Sequence, residues 1–307
     1  MKKRICLIGG NSLLGSKILE KNEEFEIIPT IHNSNLNEMS LDITKISDCK
    51  KILEIEPDII VNTAAITDVD YCEKNKKLAY NVNVNGVENL VNIANQLECK
   101  LIHISTDGIF SGKEGRYIET DFANPINYYG KTKLESEKKI TKLGDSLIFR
   151  TSVLYGFHSK ELLEIRSEYS KSMNFALWVL YSLYESKIIK IVNDQFSNPT
   201  FVDNLVEIIF ESIKKNLKGT YNATDQNCVN RYEFVQKIAS KFGHNSNLIL
   251  PVSSSELNQI AKRPSKTCLD CSKISKHGIK IRTIDSSLEK FYHQVKKENP
   301  SLISKPK

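Results

Sequence analysis

Residues 4–20 constrain this chain more than any others. Arg4–Ile8 is a short apolar run, Gly9-Gly10-Asn11-Ser12-Leu13-Leu14-Gly15 is a turn bracketed by glycines, and over 12–20 the apolar residues Leu14, Ile18 and Leu19 fall at helical spacing. Strand, glycine turn and helix in that order bring backbone amides and a positive helix terminus to one spot, which suits a pyrophosphate. Gly9 serves the tight turn and Gly15 permits close packing of helix on strand. The middle position of this GxxGxxG pattern is Ser12, which leaves two readings: its Cβ hinders a phosphate's approach, or its hydroxyl donates to the phosphate.

Further apolar runs at 25–31, Ile59–Asn62, 101–105 and 147–151 alternate with helix-like stretches at 79–97 and 131–141. Such alternation predicts an α/β fold with a doubly wound parallel sheet of the Rossmann type. After Tyr155 a charged segment at 156–172 precedes an apolar helix at Phe175–Tyr184 and a strand at 188–192, which reads as entry into a smaller, interleaved α+β substrate lobe. Pro199 and Asp203 open another helix running to Ile213, and Gly219–Asn222 looks like a strand returning to the first sheet. The expected division is a cofactor domain over 1–155, to which 198–227 returns, a substrate lobe over 156–197 and 228–300 that includes Arg231–Phe242, and a frayed tail at 301–307.

The bulk properties narrow the class. The 43 basic residues outnumber the 37 acidic ones but are dispersed, which suits an anionic small ligand better than nucleic acid. Lys296, Lys297, Lys305 and Lys307 read as a solvated terminus and not as a nucleic-acid arm. Cys6 sits in an apolar run as a small buried hydrophobe, and the seven scattered cysteines suggest a reducing compartment. Cys268 and Cys271 form one CxxC with no second pair or histidine to complete a zinc site, so no metal is expected. The apolar stretch after Met1 breaks at Gly9, too early for a signal peptide, and no run reaches membrane-spanning length; a cytoplasmic enzyme is expected.

Two groups carry chemistry. Tyr129 and Lys133 stand at i, i+4 where a helix opens, so both side chains share a face, and a nearby ammonium would lower the phenol's pKa for proton transfer. With 12 tyrosines and 36 lysines in 307 residues, roughly one such pair arises by chance; Tyr292 and Lys296 read as that background pair. Ser105-Thr106-Asp107 closes the strand before the helix, at the edge where ligands sit in open α/β sheets, and a hydroxyl there can polarise a carbonyl. No acidic residue stands at 30–34, where His32 lies, to take a ribose 2′-hydroxyl; NADP(H) is therefore favoured over NAD(H), without a basic clamp in that stretch.

With these residues placed, the chain resembles the dTDP-4-dehydrorhamnose reductase family of extended short-chain dehydrogenases/reductases over nearly its full length. The matching motifs are Leu41-Asp42-Ile43-Thr44, Pro57-Asp58-Ile59-Ile60-Val61-Asn62-Thr63-Ala64-Ala65, Asn83, Ser105-Thr106-Asp107-Gly108-Ile109-Phe110, Tyr117-Ile118-Glu119, Tyr129-Gly130-Lys131-Thr132-Lys133-Leu134, Asp194-Gln195-Phe196, Pro199-Thr200, and Arg263-Pro264 with Leu269-Asp270. The resemblance implies a catalytic triad of Thr106, Tyr129 and Lys133. It implies a cofactor site of Gly9, Asn11, Ser12, Leu13, Leu14, Gly15, His32, Asp42, Ile43, Ala64, Ala65, Asn83, Tyr129 and Lys133, and a nucleotide-sugar site of Thr67, Asp107, Gly108, Asn174 and Arg263. The implied reaction is hydride transfer to the 4-keto carbon of a deoxynucleotide-linked sugar, in dTDP-rhamnose biosynthesis, with Thr106 on the carbonyl oxygen and Lys133 also on the nicotinamide ribose. Gly108 departs from the family's usual aromatic residue, and the stretch 157–172 is longer than the reductases need, which suggests a lid or a partner surface. The chain is also similar to the regulatory beta subunit of methionine adenosyltransferase, including Leu269-Asp270-Cys271-Ser272-Lys273, which implies NADP and a partner enzyme instead of turnover. A third reading is a reductase or epimerase of another nucleotide sugar. No nucleic acid or membrane partner is expected, while a homodimer is left open.

Overall fold

The computed structural model describes residues 2–32, 39–158 and 173–303. The chain opens with β1 (Arg4–Ile8), α1 (Leu13–Glu20), β2 (Glu26–Ile31), β3 (Met39–Ser40), α2 (Ile46–Cys49), α3 (Lys51–Ile55) and β4 (Ile59–Asn62). It continues with α4 (Val69–Lys74), α5 (Lys76–Tyr80), α6 (Gly86–Gln96), β5 (Lys100–Thr106), α7 (Tyr128–Ile140) and β6 (Ser146–Thr151). The remainder is β7 (Leu154–Tyr155), α8 (Phe175–Tyr184), β8 (Ile189–Val192), β9 (Phe196–Ser197), β10 (Thr200–Phe201), α9 (Val202–Lys214), β11 (Gly219–Asn222), β12 (Val229–Asn230), α10 (Arg231–Phe242), β13 (Ile249–Val252), α11 (Ser272–Ser275) and α12 (Ile284–Glu298).

Seven strands form one parallel sheet in the order β11-β6-β5-β4-β1-β2-β3. Its central strands β1, β4, β5 and β6 are buried at nearly every position, which is why apolar residues predominate in 5–8, 59–61, 101–104 and 147–149. Along β1 the side chains alternate: Ile5 and Leu7 meet α1 and α9, while Cys6 and Ile8 join the core under α6. Burial pushes the Cys6 thiol up to about 12, so it is a packing residue. Strand order reverses between β1 and β4, which opens a crevice beyond their carboxyl ends. A second core, built around Tyr155, Leu180, Phe201, Phe234, Phe242 and Phe291, lies under α8, α10 and α12.

Several expectations change. The helix expected over 79–97 is interrupted by a π-helical turn at Asn81–Asn85, a form that concentrates at functional sites. The helix expected from 131 begins at Tyr128, because the Asn127 side chain accepts from the Gly130 amide and caps it. Ile274 and Ile279, placed by sequence in the substrate lobe, pack instead into the first core. The tail is not frayed over 301–303: Leu302 is buried in the second core and its carbonyl meets His244. Lys296 and Lys297 stand in the last turn of α12, where their charge complements the helix dipole; Lys305 and Lys307 lie outside the described residues, as does nearly all of the 157–172 segment. The cysteines are not all free, since Cys228 and Cys268 are bonded to each other. No described helix is long and apolar enough to cross a membrane.

Candidate active site

The glycine turn is built for close approach. Gly9 has φ 79°, in the left-handed region, and a Cβ on Gly15 would stand 2.2 Å from the Gly9 carbonyl oxygen. Ser12 needs no glycine, with φ −71°. Its Oγ accepts from the Gly15 amide at 2.9 Å and lies 2.8 Å from Thr63 Oγ1. Because the Thr63 hydroxyl donates to the Ile8 or Gly9 carbonyl, Ser12 is the donor to Thr63. Its hydroxyl is thus engaged within the protein, capping α1 and bracing the loop after β4. Ser12→Ala should lower unfolding stability by about 0.5–2 kcal/mol, the range for a lost N-cap, as read from urea melts; an unchanged midpoint would mean the cap contributes nothing.

Around the turn the cofactor residues separate into two kinds. Leu13, Leu14 and Ala65 line the cleft with Ser12, and Asn11 sits in the turn itself. Ile43 is buried against Gly86, and Ala64 donates its amide to Asn62 Oδ1. Asn83 pins the loop after β4: its side chain bonds both backbone groups of Ile66 and reaches Thr132 Oγ1. His32 Nε2 is 3.8 Å from Asp42 Oδ2, and Lys45 Nζ lies 3.5 Å from the same oxygen. Lys45 is therefore a basic group at this spot that the 30–34 stretch did not reveal. Burial raises the Asp42 pKa, but two bonds from Thr44 and the charges of His32 and Lys45 outweigh it, so the carboxyl is held low.

Tyr129, Lys133 and Thr106 converge on one cleft of ≈ 430 Å³, within the range of small-ligand sites. Thr106 Oγ1 donates to Asp107 Oδ1 at 3.1 Å and accepts from the Gly108 amide. Burial raises the Tyr129 pKa, against the pull of a hydrogen bond to Thr106, so the phenol stays protonated as an acid. The expected depression of that phenol by Lys133 is not found. Lys133 Nζ instead donates to the Ile104 carbonyl at 2.6 Å and lies 3.0 Å from His103 Nε2. Burial takes Lys133 down to about 8, with Glu137 and Cys72 pushing the other way. α7, which carries both residues, is tied to β6 by the buried bidentate pair of Arg150 and Glu137.

The substrate side is walled by both lobes. Asp107 is buried, which raises its pKa, and accepts from Thr106, Ser152 and Thr267. Thr67 lines the cleft; a Cβ on Gly108 would meet only ordinary contacts, the nearest 3.4 Å from Thr106 Oγ1. Asn174 caps α8 and donates to the Gly156 carbonyl, and Arg263 pairs with Asp70 at 3.0 Å. Sequence reasoning missed Arg231, at the start of α10, whose guanidinium lies over the Phe175 ring at 4.9 Å and faces the charges of Asp107 and Arg263. Two buried hydroxyls in the lining, Ser105 Oγ and Thr151 Oγ1, have no partner among the described residues, so the cleft suits a polar ligand. Tyr292, the chance match, packs on Phe242 away from this cleft. No described cluster of His, Cys, Asp or Glu could hold a metal.

The family description "RmlD substrate binding domain" matches residues 2–297. The chain belongs to the RmlD family. A dTDP-4-dehydrorhamnose reductase of Aggregatibacter actinomycetemcomitans is 31% identical over 288 residues, 88% of this chain and 92% of that protein. A structure of the dTDP-4-dehydrorhamnose reductase of Bacillus anthracis in complex with NADP superposes with a TM-score of 0.86 at 32% identity, covering 96% of this chain and all (100%) of the other. Among RmlD relatives at similar identity is the methionine adenosyltransferase 2 subunit beta of Bos taurus, 30% identical over 76% of this chain and 68% of that protein.

Proposed function

We propose that this chain is an NAD(P)H-dependent oxidoreductase that reduces the 4-keto group of a nucleotide-linked deoxysugar, with dTDP-4-dehydrorhamnose as the substrate. The observation that carries this reading is that Tyr129, Lys133 and Thr106 line one cleft together with Ser12, Leu13 and Leu14 at the start of α1. The Bacillus anthracis relative binds NADP, and the residues here fit a dinucleotide. The turn admits close backbone approach, α1 offers its N-terminus, and Lys133 faces the cleft. A bound nicotinamide supplies the hydride. Tyr129 donates its proton to the oxygen of the reduced carbon, and Thr106, its hydrogen turned from Asp107 Oδ1 to the ligand, holds that oxygen. Arg231 and Arg263 offer positive charge to the sugar nucleotide's phosphates.

The alternative, a regulatory subunit that holds NADP and a partner enzyme, does not require Tyr129 and Thr106 to meet in one cleft. Incubating the protein with NADPH and dTDP-4-dehydrorhamnose while following the reduced nicotinamide's absorbance separates the two. Steady oxidation supports the reductase; NADPH binding without oxidation supports the regulatory subunit. Cofactor choice should be modest, because Lys45 is shared with Asp42. NADPH is expected to exceed NADH in kcat/KM by less than about a hundredfold, or about 2.7 kcal/mol. His32→Asp should reverse the order, since a second carboxylate beside Asp42 repels a 2′-phosphate. No change on substitution would remove His32 from the site.

A further inference from the structure

One covalent bond joins the two segments that wall the substrate side of the cleft. β9 is flanked on one side by β12, antiparallel to it, and on the other by Lys266, which bridges Phe196 in parallel. Cys228 immediately precedes β12 and Cys268 follows Thr267; their disulfide joins the two flanks, with Cα atoms 5.6 Å apart. Each flank carries a residue of the cleft lining close to its cysteine: Arg231, which opens α10, and Thr267, which donates to Asp107. The flanks are held unequally. On the Cys268 side the Tyr117 amide donates to the Cys268 carbonyl at 2.8 Å, the Thr267 amide to Phe196 at 2.9 Å and the Leu269 amide to Asn198 Oδ1 at 2.7 Å. On the Cys228 side Gln226 and Asn227 are exposed and bond to Arg282 and Ile284, neither of which lines the cleft. β12 itself is two residues long. The Arg231 guanidinium rests on the Phe175 ring, and its amide donates to the Gln195 carbonyl at 3.1 Å.

The two sulfurs also differ in access. Cys268 is buried, whereas Cys228 is half-buried next to the exposed Gln226 and Asn227. Cys271, which completes the CxxC, is no internal rival: burial pushes its thiol up to about 11, and its Sγ sits 3.3 Å from Thr224 Oγ1. Thiolate is the attacking form, and Cys271 holds little of it at neutral pH. The other free cysteines, Cys6, Cys49, Cys72 and Cys99, are buried.

We propose that the Cys228–Cys268 disulfide is an exchange site for a small thiol of the glutathione class, and that opening it loosens Arg231 and weakens the hold on the sugar nucleotide. The inference rests on the reading of the cleft as a sugar-nucleotide site. A thiolate attacks Cys228 Sγ, the S–S bond breaks, and Cys268 leaves as a thiolate that takes up a proton. A second thiol attacks the small-molecule sulfur of the mixed disulfide and releases Cys228, which is protonated in turn. Two thiols thus give two electrons and two protons to the protein and become one disulfide, while both cysteines become thiols. In a reducing compartment a protein disulfide is usually of this transient, catalytic or redox-sensing kind. Cys268 stays in place through Tyr117, Phe196 and Asn198, so the released flank is the one that leads into Arg231.

The test compares full-length protein purified without reductant with the same protein after native treatment with reduced glutathione and anaerobic removal of the thiol. Each is unfolded in iodoacetamide and its intact mass measured; five labels are expected before treatment and seven after, from the five free cysteines and the opened pair. Seven labels before treatment, or five after it, would overturn the site. The opened form should show a KM for dTDP-4-dehydrorhamnose raised about three- to tenfold, the cost of ordering one loosened side chain on binding, with the Kd for NADPH within about twofold. An unchanged KM in the seven-label form would sink the coupling to Arg231. Cys228→Ser should have the opened form's KM and no response to glutathione; a response that persists would assign the effect to another cysteine and defeat the proposal. If that variant does not fold, the labels and KM of the wild type still decide. If neither form oxidises NADPH, the reductase reading fails, and calorimetry with dTDP reads the same loss of affinity in its place; equal affinities in the two forms would then overturn the inference.

Discussion

Tyr129→Phe should reduce kcat for 4-keto sugar reduction by about 10²–10⁴-fold, the usual contribution of a positioned general acid, while the Kd for NADPH changes by less than about threefold. The ring would remain in its small apolar cluster with Ile66 and Cys72, so the fold and the cofactor turn are untouched. What disappears is the Tyr129 hydroxyl that meets Thr106 in the cleft. Burial raises the phenol's pKa, so it holds the proton to be given, while the lysine is engaged with His103 and Ile104. The measurement is a steady-state NADPH oxidation assay beside a fluorescence titration of NADPH. Near-wild-type kcat would remove Tyr129 from the mechanism; a lost NADPH affinity would make it a binding residue.

The fold was legible where burial leaves a pattern in the chain. β4, β5 and β6 stand out through the apolar stretches 59–61, 101–102 and 147–149, which a parallel sheet covered on both faces buries. The glycine turn was legible because only a residue without Cβ fits at Gly9 and Gly15. Other features depend on partners far along the chain. Ser12's role is fixed by Thr63, 51 residues on, and that of Asn83 by Ile66 and Thr132. Arg231 carries no local signal, since an arginine at the start of a helix is ordinarily solvated; the meeting of α10 with β9 and Phe175 turns it into the cleft. Lys133 was found by spacing, but the burial that takes it down to about 8 leaves no mark in the sequence. The i, i+4 relation puts it on the face of Tyr129, whereas its reach down to the Ile104 carbonyl is set by the depth of α7 on β5. Gly130 shows the same limit: a Cβ there would come within 2.1 Å of the Gly108 carbonyl, a contact no local pattern announces.

Gly15→Ala should nearly abolish cofactor binding, raising the NADPH Kd by more than about a hundredfold, and should lower stability by about 2–4 kcal/mol. The added Cβ would lie 2.2 Å from the Gly9 carbonyl oxygen, 2.9 Å from Gly10 Cα and 3.0 Å from Gly10 C, all main-chain atoms with no rotamer to yield. Relief must come from moving the turn or the helix, and both are held. The amides of Gly9 and Gly10 both donate to the Thr30 carbonyl, at 3.0 and 2.9 Å, while Leu14 and Ile18 of α1 are packed in the core with Val202 and Leu205 of α9. Whichever gives way, the amides at the start of α1 leave their line with the end of β1, and a pyrophosphate loses its seat. Gly144→Ala is the control, since its Cβ meets nothing within 4 Å and should shift stability by less than about 0.5 kcal/mol. Denaturant melts and NADPH titrations of the three proteins decide it. A Gly15→Ala variant that is destabilised yet binds NADPH like the wild type would show that the turn serves the fold and that the dinucleotide is held elsewhere.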